Sequence, residues 1–294
     1  VASLNYANDV KVDWEFFRLA GEEYRKVRNT IRFLLSNLDD YDPSNHTYEF
    51  SEADETSIDA WARSELFNLV REVNAAYSAF NFRGANESIF DFCNETLSAI
   101  YLSATKDRLY CDKLDSPRRR RTQTTIWQIA GELIRLLAPI LPHTAEEAWL
   151  AFNHADVSSD ISVHTEGLPS AEYGEDYGPV SLAWSDVMAL RDRVMKRIED
   201  ARAQRGIDNP LDVGVTVLLP SETCAAFKPF ESEMADLCGV SRFRFVENGS
   251  ETIEIEDLRD EPRCDRSWKR DGTVKQRRDG GWLSDRDAAA VGVV

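Results

Sequence analysis

The chain has 294 residues, of which 43% are apolar, which is enough for about two domains with packed cores and argues against wholesale disorder. It contains no run of about 18 apolar residues, which excludes a transmembrane helix of ordinary length. The 52 acidic and 35 basic residues give a net charge of −17, so nucleic acid could be bound only through local basic patches and not through bulk charge.

The first half of the chain has the 3.6-residue apolar period of amphipathic helices. The period predicts five helices, over residues 13–38, about 54–80, about 83–109, 116 to about 138 and 144 to about 152. Ser116 and Pro117 are typical of a helix start, and Thr144 with Glu147 has the spacing of a capping box. Four long helices joined by modest loops favour a mainly α fold, an antiparallel helix bundle.

The same period predicts which side chains are buried on the first two helices. On the second helix, the buried face ends with Phe80. On the first helix, the buried face is predicted to consist of Phe17, Ala20, Tyr24, Val27, Ile31, Leu34 and Leu38.

The second half of the chain changes character. Residues 156–180 have the composition of a linker, and a long helix is predicted over about 181–205. The pattern then predicts a small α+β domain with a helix over 221–238 and strands over 213–219, 242–247 and 252–257. The tail after residue 259 is rich in Arg, Asp and Gly and shows no clear period.

The predicted organisation therefore has five parts. They are a connector (1–12), a helical bundle (13–155), a linker (156–180), a long helix with a small α+β domain (181–258) and a basic tail (259–294). The chain opens without an initiator Met and without a signal peptide, so we expect it to be a piece cut from the interior of a longer protein.

The kinds of charged residue and the cysteines indicate the environment. Only 8 of the 35 basic residues are Lys and 27 are Arg. An acidic, Lys-poor surface suits concentrated salt and predicts a halophilic source. The five Cys form no CxxC pair, which fits a reduced, cytoplasmic compartment.

No catalytic motif is present in the chain. It lacks GxSxG, a P-loop, HExxH and a GxGxxG after a strand, and its four His are scattered. The chain alone is therefore predicted to have no enzymatic activity.

Three basic segments are candidate binding sites. The polar stripe of the first helix carries Arg18, Arg25, Arg28, Asn29 and Arg32, whose guanidinium groups match phosphate geometry. A solvated face with pairs such as Arg18–Glu22 explains the same pattern. The run 118–121 places four Arg at a helix start, where a polyanion, hydration or nearby carboxylates could balance the charge.

The third candidate is the tail, where residues 262–278 hold seven basic residues beside Trp268 and Trp282. Arg together with Trp suits single-stranded RNA, because bases stack on the indole and phosphates bind Arg. A frayed, charged terminus explains the pattern equally well. The seven residues are Arg263, Arg266, Lys269, Arg270, Lys275, Arg277 and Arg278.

Several long segments resemble those of one family, in the same order along the chain. They are VASLNY, YRKVRNTIRFLLSNL, LSAIYLSATKDRLY, RLLAPILPHTAEEAW and ALRDRVMKRIEDARAQRGIDNPLDVGVTV. They resemble bacterial-type isoleucyl-tRNA synthetases, which are class Ia aminoacyl-tRNA synthetases. The resemblance runs from residue 1 to about 219, is weaker through the α+β part and resumes in the tail.

The resemblance implies that the bundle is an anticodon-binding domain and that the α+β part and tail help to bind the anticodon stem-loop. The HIGH and KMSKS signatures and the editing domain are absent, so the aminoacylation of tRNA with isoleucine and Mg-ATP through an aminoacyl-adenylate belongs to the full-length relative. The implied partners are the isoleucine tRNA and the chain's own catalytic domain, with no membrane and with a monomeric state.

The resemblance also implies which residues contact tRNA. On the first helix these are Arg25, Arg28, Asn29 and Arg32, and in the turn before the third helix they are Asn81 and Arg83, beside Phe82. In the tail they are Arg266, Trp268 and Lys269.

One departure from the family concerns a zinc knuckle, which has the family pattern CxRCW followed by LCxRC. The four ligand positions are here Cys264, Ser267, Ser284 and Asp287. A structural zinc site requires four Cys or His ligands, so we expect no zinc and no other cofactor in this chain.

Two alternatives remain open from the sequence. A valyl or leucyl relative would share the bundle, although the knuckle frame argues against both. A helical protein-interaction module that binds no RNA is the alternative from another functional class.

Overall fold

The computed structural model describes residues 3–4, 6, 8–9, 13–170 and 178–293, with the side chains of 178–182 left out of the description. The predicted connector and linker therefore lie partly outside the described residues. The chain folds as two units, each built from several separate segments. The first consists of Val1–Tyr48, Ala62–Ile100 and Arg121–Tyr177, and the second of Glu49–Trp61, Tyr101–Arg120 and Gly178–Val294. This division differs from the boundaries drawn from the sequence at 155 and 180, which stay a prediction.

Helices dominate the first half of the chain, and the mainly α fold class with a small α+β part is confirmed. In chain order the helices are α1 (Trp14–Ser36), α2 (Pro43–His46), α3 (Ile58–Ser78), α4 (Phe82–Asp91), a π-helical segment (Phe92–Tyr101), α5 (Leu102–Cys111), α6 (Pro117–Leu137) and α7 (Pro142–Phe152). The carboxylate of Asp13 caps α1 by accepting a hydrogen bond from the backbone N–H of Phe16 at 2.9 Å.

Residues 82–111 form α4, the π-helical segment and α5 in unbroken succession, where the sequence predicted one helix. In a π-helix the carbonyl acceptor lies five residues before the donor. The hydroxyl of Ser98 donates across the same spacing, to the carbonyl of Cys93 at 2.7 Å. Phe92, Cys93 and Leu97 are buried, so the wider helix still presents an apolar face.

On α1 and α7, two predicted details are wrong. On α1, Phe17 is 59% exposed and Tyr24 is 37% exposed, because the buried face begins only at Val27. The capping box at Thr144 does not form, because α7 begins earlier, with Pro142 in its first turn. The Thr144 hydroxyl lies 3.2 Å from the Tyr24 hydroxyl, so it contacts another helix and does not cap its own.

The second unit contains the sheet and the longest helix. Helix α8 (Gly178–Arg205) buries a stripe consisting of Trp184, Val187, Leu190, Val194 and Ile198. Strand β1 (Val213–Leu219) lies at the centre of a three-stranded sheet, parallel to β2 (Arg242–Glu247) and antiparallel to β3 (Thr252–Asp257). Val215 marks the register, since it faces Phe243 on one side and Ile255 on the other.

The predicted helix over 221–238 is interrupted. It consists of α9 (Ser221–Phe227), a 3₁₀ turn (Lys228–Phe230) and α10 (Glu231–Leu237). Pro229 lies in the turn, and its missing N–H and ring are incompatible with an uninterrupted α-helix. This connection joins the parallel strands β1 and β2.

The tail is ordered, although its sequence has no period. Strands β4 (Lys275–Gln276) and β5 (Trp282–Leu283) pair antiparallel, and α11 (Asp285–Val291) follows them. Ser284 caps α11, and Gly292 ends it in the left-handed conformation at φ 73°. Elements this short cannot show a period, and their small core consists of Cys264, Val274, Leu283 and Ala288.

All five cysteines are buried free thiols. Across the described ranges, no helix is both long enough and apolar enough to span a bilayer.

Candidate nucleic-acid interface

The first candidate surface is the polar face of α1, in the first unit. Arg25, Asn29 and Arg32 are exposed and follow one another at steps of four and three residues, so they share this face. Within the part of the chain that the structure describes, neither Arg25 nor Arg32 forms an ion pair. Two guanidinium groups and an amide are therefore free to bind a ligand.

Arg28 lies at the edge of this face and is half-buried. Its guanidinium group pairs with the carboxylate of Glu147 on α7 at 3.2 Å. Beside the pair is a cleft of about 160 Å³ with an apolar floor. The cleft is lined by Arg28, Ile31, Arg32, Leu35, Thr144 and Ala148, among others. Phosphate or a base edge could reach the two Arg over this floor.

Arg18, at the start of the same stripe, behaves differently. Its guanidinium group pairs with Glu15 and with Glu22, so the solvated-pair interpretation holds for this residue. It provides an internal reference for the unpaired residues further along α1.

The turn before α4 holds the next two residues from the sequence. The Asn81 side chain caps α4 by accepting from the N–H of Gly84 at 3.0 Å. Arg83 is exposed and pairs with Glu87 at 2.7 Å, one turn further along α4. Both side chains therefore have a local structural role, whether or not RNA contacts them.

Phe80, in the same turn, was predicted to be buried and is 66% exposed. Its φ of 55° ends the preceding helix and turns the ring outward. An exposed aromatic ring beside Asn81 and Arg83 could stack on a base. The helical period missed it because the helix stops two residues earlier, at Ser78.

In the second unit, the start of the 118–121 run is balanced within the protein. Arg118 donates two hydrogen bonds of 2.8 Å to Asp112, and Arg119 donates to the carbonyls of Leu109 and Leu114 at 3.1 Å. For Arg118, nearby carboxylates are thus the correct choice among the three options.

The tail presents Trp268 on a tight loop. The N–H of Cys264 donates to the carbonyl of Lys269 at 2.9 Å, and the N–H of Trp268 donates to the carbonyl of Cys264 at 3.0 Å. Trp268 has a φ of 63°, a region that bulky residues rarely adopt, and its ring is 54% exposed. The guanidinium group of Arg263 lies 5.2 Å from the ring centroid, which gives a cationic aromatic platform.

A cleft of about 330 Å³ adjoins this loop within the second unit. Its lining includes Lys106, Tyr110, Arg266, Trp268 and Lys269. Tyr110 is 56% exposed and is a second ring available for stacking. The sequence offered no separate signal for Tyr110, which was noted only within the KDRLY segment.

Arg266 and Lys269 differ from what the sequence suggested. Arg266 donates to the carbonyls of Tyr110 and Cys111, and the Lys269 side chain is only 13% exposed. Lys269 bridges Asp236 at 2.6 Å and Asp107 at 3.1 Å. Burial alone would lower the pKa of Lys269, but the two carboxylates raise it. Both side chains hold the Trp268 loop in place, so few of their hydrogen-bond donors remain available to RNA.

Within the described residues, no group of three or more His, Cys, Asp and Glu side chains has an arrangement that could hold a metal ion.

Comparison with known proteins identifies the family. The family described as the anticodon-binding domain of tRNA ligase matches residues 59–217, which is more than half of the chain. This chain belongs to that family. Neither the valyl or leucyl alternative nor the RNA-free interaction module gains support.

Similar curated proteins extend the match beyond the family's range. The chain is 36% identical to the isoleucine–tRNA ligases of Exiguobacterium sibiricum and Petrotoga mobilis, over 91% and 92% of its own length. It is 36% identical to that of Listeria welshimeri over 84% of its length. The chain spans only 26–30% of the length of these relatives.

The anticodon-binding family match contains Asn81 and Arg83, whereas the α1 face and the Trp268 loop lie outside residues 59–217. Those two surfaces are therefore assigned from their geometry and not from the family match.

Proposed function

We propose that this chain recognises the anticodon of an isoleucine tRNA as the C-terminal part of an isoleucine–tRNA ligase. The observation that carries the proposal is the unpaired, exposed face of α1 in a chain with a net charge of −17. An acidic protein that leaves Arg25 and Arg32 unpaired on one helical face has a local site for an anionic ligand. The anticodon-binding family and the isoleucine–tRNA ligase relatives support tRNA as that ligand.

The proposed division of work follows side-chain chemistry. Arg25, Arg28 and Arg32 contact phosphates, which positions the RNA, and Asn29 hydrogen bonds to a base edge. Trp268, with Arg263 above it, stacks on an unpaired base. Arg266 and Lys269 position the Trp268 loop, while Asn81 and Arg83 contribute secondary contacts beside the exposed ring of Phe80.

The proposal for the whole protein goes further than this chain. The longer protein attaches isoleucine to its tRNA with Mg-ATP through an aminoacyl-adenylate, in domains outside these residues, and this chain alone is inactive. We further propose a cytoplasmic monomer from a halophilic source, with its own catalytic domain as its protein partner.

Binding of the chain to an isoleucine tRNA transcript tests the proposal. The comparison is the same transcript with its anticodon replaced, measured in concentrated KCl. We expect tighter binding to the native anticodon. Equal affinity for both transcripts, or binding to neither, would contradict anticodon recognition by this chain.

Variants then separate the two surfaces. We expect Arg32→Ala and Trp268→Ala each to weaken tRNA binding, the latter by ~1–3 kcal/mol if one base stacks on the ring. Trp268→Phe retains an aromatic face and should recover part of the loss. Arg18→Ala is the matched control, because it removes an Arg from the same helix that is already paired with Glu15 and Glu22.

A further inference from the structure

The four positions that correspond to the zinc-knuckle frame lie together in the folded tail. They are Cys264, Ser267, Ser284 and Asp287, contributed by the Trp268 loop and the start of α11. Cys264, Ser284 and Asp287 are buried, and the Asp287 side chain has no exposed surface. The frame of the knuckle is thus retained with a different set of side chains.

One carboxylate oxygen is the centre of this cluster. Oδ2 of Asp287 accepts hydrogen bonds from the hydroxyls of Ser267 at 2.7 Å and Ser284 at 2.9 Å and from the thiol of Cys264 at 3.1 Å. The backbone N–H of Asp287 in turn donates to the Ser284 hydroxyl at 3.1 Å.

This arrangement does not fit zinc. Two of the four groups are neutral hydroxyls, and the one thiol is used as a donor, whereas a structural zinc site is built from deprotonated Cys and neutral His side chains. The ligand atoms of a tetrahedral zinc ion stand about 3.5 Å apart, given metal–ligand distances of ~2.0–2.3 Å. The separations of 2.7–3.1 Å are hydrogen-bond distances.

The charge of the buried carboxylate is balanced by two arginines. A guanidinium nitrogen of Arg266 lies 3.3 Å from Oδ1 of Asp287, and one of Arg286 lies 3.2 Å from Oδ2. Arg266 also donates to the carbonyls of Tyr110 and Cys111, which ties the cluster to α5. A buried ion with charged and hydrogen-bonding partners can be stable without a metal.

We propose that the Asp287 carboxylate takes the structural place of a metal ion, so that the tail folds and presents Trp268 without zinc. Ser267 and Cys264 donate to this carboxylate from the Trp268 loop, and Ser284, which caps α11, donates to it from the other side. The inference concerns folding and metal content, so it can be tested independently of tRNA binding.

The first test measures zinc in the full 294-residue chain, purified after expression in zinc-supplemented medium. We expect inductively coupled plasma mass spectrometry to find far less than one zinc ion per chain. Adding EDTA should change neither the Trp fluorescence nor the tryptic cleavage of the tail. One zinc per chain, together with loosening of the tail by EDTA, would overturn the proposal.

The second test builds the metal site back. The triple variant Ser267→Cys, Ser284→Cys, Asp287→Cys supplies four thiols with Cys264. We expect it to bind one zinc or cobalt ion per chain, with cobalt–thiolate absorption, and to make the tail sensitive to EDTA. If the variant folds and binds neither ion, the four positions do not form a knuckle frame and the proposal is wrong.

A single substitution keeps the proposal testable if the triple variant does not fold. Asp287→Asn replaces an acceptor of three hydrogen bonds by an amide, so tryptic cleavage of the tail should rise about tenfold or more. Asp285→Asn is the matched control on the same helix, because the Asp285 side chain is 60% exposed and the buried side chain of its partner Arg277 also donates to the carbonyl of Leu283. Equal protection of the tail in Asp287→Asn and the unsubstituted chain would refute the role of the carboxylate.

Discussion

At the scale of single residues, Arg108 in the second unit is a charged side chain that is fully buried. Its guanidinium group lies 2.7 Å from Glu233, 3.1 Å from Asp236 and 3.4 Å from Asp59. Burial alone would lower the pKa of Arg108, but the three carboxylates raise it well above its ordinary value. Arg108 therefore stays charged and offsets part of the negative charge of the three acids.

Replacing Arg108 by Met should destabilise the chain by ~3–5 kcal/mol, because it removes the buried guanidinium group whose positive charge offsets the negative charges of Glu233, Asp236 and Asp59. Urea unfolding followed by circular dichroism measures this free energy. The control is Arg193→Met, which removes a surface pair with Glu251 and should cost less than ~1 kcal/mol. Similar losses for both variants would contradict the central role of Arg108.

At the scale of elements, the start of α4 depends on a local cap. Asn81 accepts from the N–H of Gly84, and a Cβ at position 84 would lie 2.4 Å from the Asn81 amide nitrogen. A glycine at 84 is thus required for this cap. Asn81, which the sequence predicts to contact RNA, therefore also has a structural role as a helix cap. A matched pair of variants is needed to separate the two roles.

Asn81→Ala should lower the free energy of unfolding by ~0.5–2 kcal/mol, whereas Asn81→Ser keeps a neutral capping acceptor and should preserve stability. If Asn81 also contacts RNA, both variants weaken tRNA binding. If it acts as a cap alone, Asn81→Ser binds tRNA as the unsubstituted chain does. Thermal unfolding and tRNA titration on the same samples distinguish these results.

The tail is fastened to α5 by ion pairs centred on Asp107. Its carboxylate lies 3.1 Å from the Lys269 ammonium and also pairs with Arg286. Burial alone would raise the pKa of Asp107, but hydrogen bonds and charges from Arg286 and Lys269 outweigh it and lower the pKa to about 2. The ionised carboxylate is therefore favoured in the folded state.

Because the folded pKa of Asp107 lies below the unfolded value of ~3.9, its stabilisation is present above about pH 4 and is lost as the pH falls toward about 2. We expect the free energy of unfolding to decrease across this window and the decrease to be smaller in Asp107→Asn. Asp160→Asn, at an exposed loop position, should retain the unsubstituted pH dependence. If the free energy of unfolding of Asp107→Asn decreases as much as that of the unsubstituted chain, groups other than Asp107 cause the acid sensitivity.

At the scale of the whole molecule, the net charge is negative, whereas the proposed RNA-binding face of α1 carries positive charges. The chain carries −17, yet much of its Arg and Lys in the second unit is paired internally, as Arg118, Lys269 and Arg270 illustrate. A protein of this kind repels RNA at long range and can bind it only through a few cations and through stacking. Its dependence on salt should therefore be weak.

With three phosphate contacts, from Arg25, Arg28 and Arg32, the logarithm of the binding constant should fall with the logarithm of KCl concentration at a slope of roughly −2. Titrations of the tRNA across a range of KCl concentrations measure this slope. Arg32→Ala should reduce it by about 0.7, and Trp268→Ala should leave it unchanged. A slope twice as steep would mean that many more cations contact the RNA.

Local pattern was sufficient for much of the fold. The helices near 13–38, 54–80 and 116–138 and the strands at 213–219, 242–247 and 252–257 were predicted because apolar period and helix-start residues are properties of neighbouring residues. The predicted family followed from the order of long segments. Local pattern failed where an element is short, as in the tail, or where Pro229 interrupts a regular run.

The candidate site required the folded structure. Arg25 and Lys269 are alike in sequence as cations within basic segments, yet Arg25 is exposed and unpaired within the described residues, whereas Lys269 is buried between Asp107 and Asp236. Asp236 precedes Lys269 by 33 residues, and no local rule connects the two. The sequence by itself therefore determined the helices, the strands and the family, whereas long-range packing determined which charged side chains balance one another and which remain available to RNA.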